Sequence, residues 1–540
     1  MRMKKVLAGI MAASVVITMF AGCSKSKGST GEADSSKQQN VKITYPIQGD
    51  GAKKLTMWLP IQPAAAKYIN NYKDQEVFQE ISKRTGVEVE FIHPAIGQER
   101  EQLGVLMASG NLPDTIQIRG FYNGGSSAGV DDGVFLDLTK LVPTYAPDYY
   151  KAIQQTDAAY RLATTNDDKI TEFDLLKQSA PAFTRFNLRE DMMKDLGISD
   201  APVTISDYES VFEKMKAKGI VGFAPDQNGR VAQFMWPYGI TDGFFVGTDG
   251  KIKFGQGEAA FKDYLTMMNK WWNAGYLYKD FMSNMTVNDR RALWTKMKVG
   301  VYQEPTDQVN SLANTNNFTD VPATYPRLTA GQPIHFETVS WDALPITTPG
   351  ETMATVITTS CKNKEIALQY LNYYYTQEGA DLANWGIKDK AYTVDASGKK
   401  SFTDYMLKNP KIPLGDTQAM LKIHLFAKLS EPDVNCNPNV TSDPKGLALR
   451  MKYSDDKTVD DKQVLPNFQL SPEKSADRSK IMRDINTYAD EMTLKFIVGA
   501  TPLSDFDKYI AQLKSMNIDD AIKITQDEYD IYKNKPGIKK

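Results

Sequence analysis

The sequence predicts an α/β fold with more than one domain. A chain of 540 residues, 41% hydrophobic and 24% charged, is long enough for roughly two or three domains that each bury a core. Residues 54–118 alternate short strand-like and longer helix-like segments, a pattern typical of parallel strands joined by right-handed crossovers. In such sheets ligands bind beyond the carboxyl ends of the strands.

The alternation begins with a strand over residues 54–61. Leu55, Met57 and Leu59 recur at every second position, so they share one face of this strand. The elements that follow are a helix over 75–84, a strand over 87–91, a helix over 98–109 and a strand over 114–118. A glycine stands after each of the two helices, where a left-handed residue ends a helix most easily.

The middle of the chain is richer in helices. The predicted elements are a helix over 206–218, a hairpin turn at 249–250, a helix over 261–275, strands over 298–303 and 352–359, and a helix over 364–377. We find no internal repeat.

The first 22 residues predict a processing segment. Arg2, Lys4 and Lys5 precede an apolar run that ends at residue 22, which is shorter than the roughly 20 residues that span a bilayer. Small residues stand directly before Cys23, an arrangement that resembles a bacterial lipoprotein signal. The sequence therefore predicts a lipidated Cys23 and a flexible tether over residues 23–44, which anchors the body without crossing the membrane.

Composition argues against several other classes of protein. The 64 basic and 66 acidic residues nearly balance, so no electrostatic footprint for nucleic acid is present. With three histidines and no nucleophile elbow, metalloprotease or P-loop motif, the sequence gives little sign of an enzyme. Cys361 and Cys436 either pair or stay as two buried thiols, and we favour the thiols.

Five segments in order resemble one protein family, the extracellular solute-binding lipoproteins of ABC importers, and within it the large carbohydrate-type subgroup of Gram-positive bacteria. The segments are EISKRTGVEVE (80–90), LMASGNLPDTIQI (106–118), FLDL (135–138), the stretch 370–392 and the stretch 496–532. Relatives often carry an aspartate-rich, calcium-loop-like stretch, but PDQNG at 225–229 has too few carboxylates for one. We therefore expect no metal ion and no cofactor.

This resemblance implies a two-lobe type II periplasmic-binding-protein fold that closes on ligand by a hinge motion. Lobe one is expected over residues 45–180 and 343–400, and lobe two over 181–342 and 401–540. The ligand would lie in the cleft between the lobes, and the partners would be a carbohydrate and the permease subunits of an ABC transporter. We expect a monomer.

In lobe one, three candidate ligand residues stand at the ends of predicted strands. Sugars present apolar C–H faces ringed by hydroxyls, so their sites combine aromatic platforms with polar side chains. Trp58 lies near the carboxyl end of the first strand, and both a cleft position and a core position stay open for it. Arg119 and Tyr122 follow the third strand directly.

Six further candidates lie later in the chain, in predicted lobe two. They are Trp236, Tyr238, Tyr302, Gln303, Trp341 and Asp342. The segment FMWPYGITDG around Trp236 resembles the maltose-type binding proteins, which place a stacking aromatic residue there. Tyr302 and Gln303 end a predicted strand, and Trp341 and Asp342 precede the return to lobe one.

The sequence thus predicts a lipid-anchored extracellular receptor that captures a carbohydrate, in particular an oligosaccharide, for an ABC permease. One alternative is a receptor of the same fold for another solute such as a peptide. Another, from a different class, is a surface glycan hydrolase, which needs two carboxylates about 5–10 Å apart across a groove.

Overall fold

The computed structural model describes residues 42–48, 53–118, 120–178, 184–283, 285–337, 345–346, 353–431, 433–442, 448 and 456–537. These residues belong to one compact unit, Val41–Lys540. Within it the buried apolar side chains form two large cores, each built around its own sheet. We refer to these two parts as lobe one and lobe two.

The strands of the described residues are short. They are β1 Lys54–Trp58, β2 Glu88–Ile92, β3 Thr115–Gln117, β4 Leu176–Gln178, β5 Thr184–Arg189, β6 Val221–Phe223, β7 Phe244–Val246, β8 Ile252–Phe254, β9 Val299–Pro305, β10 Asp320–Pro322, β11 Pro345–Ile346, β12 Thr355–Ile357, β13 Tyr392–Val394, β14 Lys400–Phe402 and β15 Leu429–Ser430.

Helices make up more of the structure than strands. In the first half they are α1 Glu76–Thr85, α2 Glu99–Ser109, α3 Gly125–Asp131, α4 Val142–Tyr145, α5 Pro147–Ile153, α6 Asp157–Ala163, α7 Glu190–Asp195, α8 Ile205–Ala217, α9 Ala232–Met235 and α10 Ala260–Ala274. In the second half they are α11 Val287–Thr295, α12 Thr306–Thr315, α13 Lys364–Tyr373, α14 Gln377–Trp385, α15 Asp404–Leu407, α16 Leu414–Leu421, α17 Asp433–Cys436, α18 Pro438–Thr441, α19 Pro472–Val498, α20 Phe506–Ser515 and α21 Ile518–Asn534.

The sheet of lobe one has the order β12-β3-β1-β2. Strand β1 pairs in parallel with both β2 and β3, as the strand–helix alternation predicts, and β12 runs antiparallel to β3. Leu55 and Met57 point into the large core on one face, while Trp58 joins a smaller cluster on the other. Because successive side chains of β1 point to opposite faces, this strand contributes apolar side chains to both faces of the sheet.

The sheet of lobe two has the order β10-β5-β9-β6. Its core is strongly aromatic: the Phe186 ring stacks on Phe234 at 4.5 Å, and Phe234 meets Trp271 of α10 edge to face at 5.0 Å. The predicted hairpin is present as β7 and β8, with Gly250 in the left-handed conformation at its turn.

Most predicted elements are confirmed with small shifts of their bounds, and one is wrong. The helix predicted over 364–377 is two helices, because α13 ends at Tyr373 and α14 begins after Thr376. The Thr376 side chain accepts a hydrogen bond from the Gly379 backbone N–H, which caps a new helix instead of continuing the old one.

A third small sheet, β11-β4-β15, lies where the chain passes between the lobes. Strand β4 leads out of lobe one toward β5, and β11 precedes the return strand β12. The long helix α19 also contacts both lobes: Ser475 donates a hydrogen bond to the Gly124 carbonyl in lobe one, and Asn269 of α10 donates one to the Phe496 carbonyl. At 1.5 Å per residue this helix is about 40 Å long.

The lobe boundaries predicted from the sequence stay a proposal. Ala419, Ile423, Phe426 and Ala427, which the sequence assigns to lobe two, pack in the core of lobe one. This packing favours a boundary near residue 430 instead of residue 400. Cys361 and Cys436 are both buried thiols that are not joined in a disulfide, as predicted from the sequence.

Candidate functional site

The carboxyl edges of both central sheets lie beside the segments that cross between the lobes. In lobe one the return strand β12 starts at Thr355, which pairs with Gln117 at the end of β3. In lobe two β5 starts at Thr184, which pairs with Pro305 at the end of β9. Because the chain enters each lobe at the carboxyl end of its parallel strands, we take these two edges as the candidate site.

The lobe-one edge holds a groove of about 590 Å³ next to the loop that follows β3. Phe121 and Tyr122 of that loop line it, together with side chains of α2, α3 and α19. The Tyr122 hydroxyl donates a 2.5 Å hydrogen bond to Asp132, and burial together with this carboxylate raises the pKa of Tyr122. We call this groove the lobe-one groove.

Trp58 lies behind this groove and not in it. Its side chain is only 2% exposed and packs with Leu103 and Ile116. The Phe121 ring meets it edge to face, with ring centroids 6.2 Å apart. Of the two positions that the sequence left open for Trp58, the structure shows the core position, from which it supports Phe121.

Aromatic and cationic side chains meet at the lobe-two edge. The Arg185 guanidinium, on a residue only 3% exposed, lies 3.7 Å above the centre of the Tyr325 ring. The Trp236 ring meets Tyr325 edge to face at 4.9 Å, and its Nε1–H donates to the Thr241 hydroxyl at 3.1 Å. Trp236 itself is 7% exposed, so in this conformation it lies mostly beneath the surface.

Tyr238 lies at the end of the same short helical turn, Trp236–Tyr238. Its side chain is half-buried against the lobe-two core, and burial raises the pKa of Tyr238 to about 12. The carbonyl of the intervening Pro237 accepts a 2.7 Å hydrogen bond from the Gln332 amide, which fixes the turn.

The end of β9 carries Tyr302, Gln303 and Glu304. The Tyr302 side chain is 5% exposed, stacks on Trp294 with centroids 5.2 Å apart and donates its hydroxyl to Glu304. Burial and the Glu304 carboxylate raise the pKa of Tyr302. Successive side chains of a strand point to opposite faces, so Tyr302 packs inward and its neighbour Gln303 points the other way.

Gln303 is half-buried and donates its side-chain amide to the Gln233 side-chain oxygen. This contact joins the end of β9 to α9, which precedes Trp236. The structure thus brings Trp236, Gln303, Gln233, Tyr325 and Arg185 to one edge. Of these, Gln233 and Gln303 are half-buried, so their amides can reach the hydroxyls of a ligand, whereas Trp236, Tyr325 and Arg185 are buried in this conformation.

Four other predicted residues lie outside the described residues. They are Arg119, Trp341, Asp342 and Cys23. Of the predicted candidates that are described, Tyr122 stands at the lobe-one edge, with Trp58 beneath it. Trp236 and Gln303 lie at the lobe-two edge, whereas Tyr302 packs inward and Tyr238 is half-buried against the lobe-two core.

Sequence reasoning missed the residues that reach these edges from distant parts of the chain. Arg100 of α2 donates hydrogen bonds to the carbonyls of Gly120 and Phe121, at 3.0 and 3.3 Å. Lys480 and Arg483 come from α19, more than 350 residues later, and line the same groove. A strand-end criterion finds Tyr122 but gives no signal for a helix that docks from the far end of the chain.

A second, larger groove of about 830 Å³ lies between α19 and α21. Lysine and acidic side chains alternate along it over a floor of Ile481, Ile524 and Met516, and no aromatic ring lines it. It also lies away from the strand ends, so we do not place the ligand there.

In the part of the chain that the structure describes, no group of three or more His, Cys, Asp or Glu side chains is placed to hold a metal ion. In the segment 225–229, the carboxylate of Asp226 forms an ion pair with Arg290 at 3.1 Å. Among the described helices, none combines the length and the apolar character needed to cross a bilayer.

Comparison with known proteins assigns the family. Residues 67–388 match the family model described as bacterial extracellular solute-binding protein. The chain belongs to this family. The protein is also 23% identical to the fructooligosaccharide ABC transporter substrate-binding protein FusA of Streptococcus pneumoniae, in an alignment that covers 96% of each chain.

Solved structures show that the solute-binding protein has the predicted two-lobe type II fold. FusA of S. pneumoniae in complex with kestose matches with a TM-score of 0.71 at 18% identity, over 90% of this chain and 100% of that one. The alginate-binding protein AlgQ2 without calcium ion matches with a TM-score of 0.70 at 19% identity, over 89% and 99%. A solute-binding protein of Bifidobacterium longum infantis, described as binding HMO, matches at 0.66 and 16%, over 89% and 99%.

Proposed function

We propose that this solute-binding protein captures an oligosaccharide between its two lobes and delivers it to an ABC transporter permease. The observation that carries the proposal is the nearly full-length alignment with FusA, a substrate-binding protein named for fructooligosaccharides. Structural neighbours described as binding alginate, HMO and an N-glycan support the same ligand class. The family and these relatives are binding proteins for transporters, which supports a receptor without catalytic activity.

The two edges supply what a sugar site needs. The lobe-one groove offers Tyr122 and Phe121 as aromatic surfaces, and the lobe-two edge offers the half-buried amides of Gln233 and Gln303. A ligand that contacts both lobes stabilises the closed conformation, which is the form that the permease would recognise.

The protein would be anchored on the outer face of the cell membrane. Residues 1–22 would be removed as a signal peptide, and Cys23 would be acylated and joined to the body by a tether that ends near residue 44. We expect a Cys23→Ser variant to move from the membrane fraction to the medium, whereas a variant that stays with the membranes would argue against the anchor.

Binding by the soluble chain from residue 23, with Cys23→Ser, tests the ligand class. A ligand that binds only the folded state stabilises it by about 2.7 kcal/mol at a hundredfold excess over Kd, so a thermal-shift panel of mono- and oligosaccharides finds the best sugar. Isothermal titration then compares Gln233→Ala/Gln303→Ala with Gln512→Ala, which removes an exposed amide from α20. We expect only the double variant to lose affinity, by about tenfold or more.

Other outcomes would identify the alternatives. Binding of peptides but of no sugar would keep the fold and overturn the carbohydrate assignment. Release of shorter sugars that stops in a single carboxylate variant would indicate a glycan hydrolase.

A further inference from the structure

Three cationic side chains line the lobe-one groove. Arg100 comes from α2, and Lys480 and Arg483 lie one turn apart on α19. All three side chains are exposed, and within the described ranges none of them forms an ion pair. Elsewhere on the described surface, lysines and arginines are often paired with a carboxylate, as Lys474 is with Glu473 at 3.2 Å.

The two acidic residues of the groove are already engaged. The Asp132 carboxylate accepts the hydrogen bond of the Tyr122 hydroxyl, and Asp477 lies 3.8 Å from the Lys474 ammonium group. A hydrogen bond from a neutral hydroxyl leaves Asp132 charged, so the groove lining carries three positive charges against two negative ones, and Asp477 is shared with Lys474. A ligand that brings negative charge would still gain favourable interactions with the cations.

Arg100 is held in place before any ligand arrives. Its two terminal nitrogens donate to the carbonyls of Gly120 and Phe121, in the loop that follows β3. A guanidinium fixed in this way loses little conformational entropy on binding, and its planar shape suits a carboxylate or a sulfate group. The carbonyl contacts thus place a preorganised cation at the carboxyl end of a sheet strand.

Aromatic rings stand beside these charges. The Tyr122 ring packs on Phe135 with centroids 4.9 Å apart, and Phe121 rests on Trp58. A sugar residue with an acidic substituent matches this surface, since its C–H face can contact a ring while its anionic group faces a cation.

We propose that the lobe-one groove binds an anionic sugar residue, so that the physiological ligand is an oligosaccharide that carries uronate carboxylates or sulfate esters. This inference rests on the proposed function and narrows its ligand class. The chemistry common to both sources is a negatively charged group on a sugar ring, and the experiment below distinguishes them.

Isothermal titration of the soluble Cys23→Ser chain tests the proposal. The probes are tetrasaccharides of galacturonate and of mannuronate, a sulfated galactan tetrasaccharide, and neutral tetrasaccharides of the same backbones. We expect at least one anionic tetrasaccharide to bind at least tenfold more tightly than its neutral counterpart in 50 mM NaCl. That advantage should shrink in 500 mM NaCl, because salt screens exposed charges.

Two variants and a matched control test whether the preference for anionic sugars comes from the cations on α19. Lys480→Gln and Arg483→Gln should each weaken binding of the anionic ligand by about threefold to tenfold more than they weaken binding of its neutral counterpart. Lys514→Gln removes an exposed lysine from α20 that also has no ion pair among the described residues, and it should change neither affinity.

The failures of the two proposals are distinguishable. Tight binding of a neutral tetrasaccharide, with no anionic sugar binding better, would overturn this inference and keep the receptor function. Equal losses for neutral and anionic sugars in Lys480→Gln and Arg483→Gln would also overturn it. Binding of peptides alone would overturn both proposals.

Discussion

Glu304 and Arg291 form an ion pair at the carboxyl end of β9, where the Glu304 side chain is almost fully buried. Arg291 Nε lies 3.1 Å from Oε1 and 3.0 Å from Oε2 of the carboxylate, which also accepts the Tyr302 hydroxyl. Burial alone would lower the pKa of Arg291, but the Glu304 carboxylate outweighs it and raises that pKa. The pair therefore holds the end of β9, next to Gln303 in the chain, on α11.

Removal of Arg291 should destabilise the protein strongly, because it leaves a buried carboxylate without its partner. We expect Arg291→Met to lower the free energy of unfolding by about 3 kcal/mol, measured by urea denaturation at pH 7. Glu304→Leu combined with Arg291→Met should recover most of this loss, since no buried charge then remains. Equal stability of Arg291→Met and the native protein would show that Glu304 finds another partner or water.

The sequence predicted lobe one well because its signals are local. Alternation of apolar residues defined β1 and β2, and the helix-ending glycines at 86 and 110 adopt the left-handed conformation that was expected. The parallel arrangement of β1, β2 and β3 is predicted because each connection between them is short and contains one helix. The same logic predicts Tyr122 as a site residue, since it lies in the loop after β3.

The rest of the site depends on contacts between distant segments. Nothing near Arg185 in the sequence indicates that its guanidinium lies over Tyr325, 140 residues later. The sequence predicts Trp236 as an aromatic platform, yet Tyr325 and Phe336 cover it in this conformation. Periodicity shows that a side chain is apolar, but only packing decides which partner buries it.

Stability should fall as pH rises, because lobe one buries two carboxyl groups near each other. Glu172 accepts a 3.0 Å hydrogen bond from Gln469, and Asp174 accepts one of 2.9 Å from the Tyr149 hydroxyl. Burial raises both pKa values, and the charge of Glu172 raises that of Asp174 further. A raised pKa in the folded state gives stability that is fully present below the unfolded-state pKa, near 4, and is lost as pH rises through the folded-state value.

Urea denaturation of the native protein and of Asp174→Asn between pH 4 and pH 9 checks this dependence. Within the affected window, the native protein should lose up to about 1.4 kcal/mol per pH unit for the proton that Asp174 holds. Asp174→Asn cannot titrate, so its stability should vary less with pH by that amount. If both proteins show the same slope, Asp174 does not keep its proton in the folded state.

The two body cysteines should be unreactive until the protein unfolds. Burial, with a smaller effect from the Asp114 carboxylate, raises the pKa of Cys361 to about 12, and the Cys436 thiol donates to the Glu431 carbonyl at 3.4 Å. The thiolate is the reactive form, so a thiol reagent at pH 8 should label neither residue in the native Cys23→Ser chain. In 8 M urea without reductant both should react, whereas a failure to react there would indicate a disulfide.

Alanine substitutions at two neighbouring glycines, at the start of α3, can distinguish the cost of backbone strain from the cost of overpacking. Gly124 and Gly125 both have positive φ, 81° and 70°, so alanine is strained at either position by about 1 kcal/mol. Only at Gly124 would the new methyl group collide with its surroundings, 2.5 Å from the Ala128 Cβ and 2.8 Å from the Ser479 hydroxyl oxygen of α19. At Gly125 nothing lies within 4 Å.

We therefore expect Gly124→Ala to be less stable than Gly125→Ala by about 1–3 kcal/mol, the usual cost of overpacking, in urea denaturation of both variants. The difference measures how rigidly α3 is docked on α19. Since these two helices form walls of the lobe-one groove, Gly124→Ala should also weaken ligand binding while Gly125→Ala leaves it nearly unchanged. Equal stabilities would mean that α19 moves away from α3 at little cost, in which case the cations on α19 are not held at fixed positions.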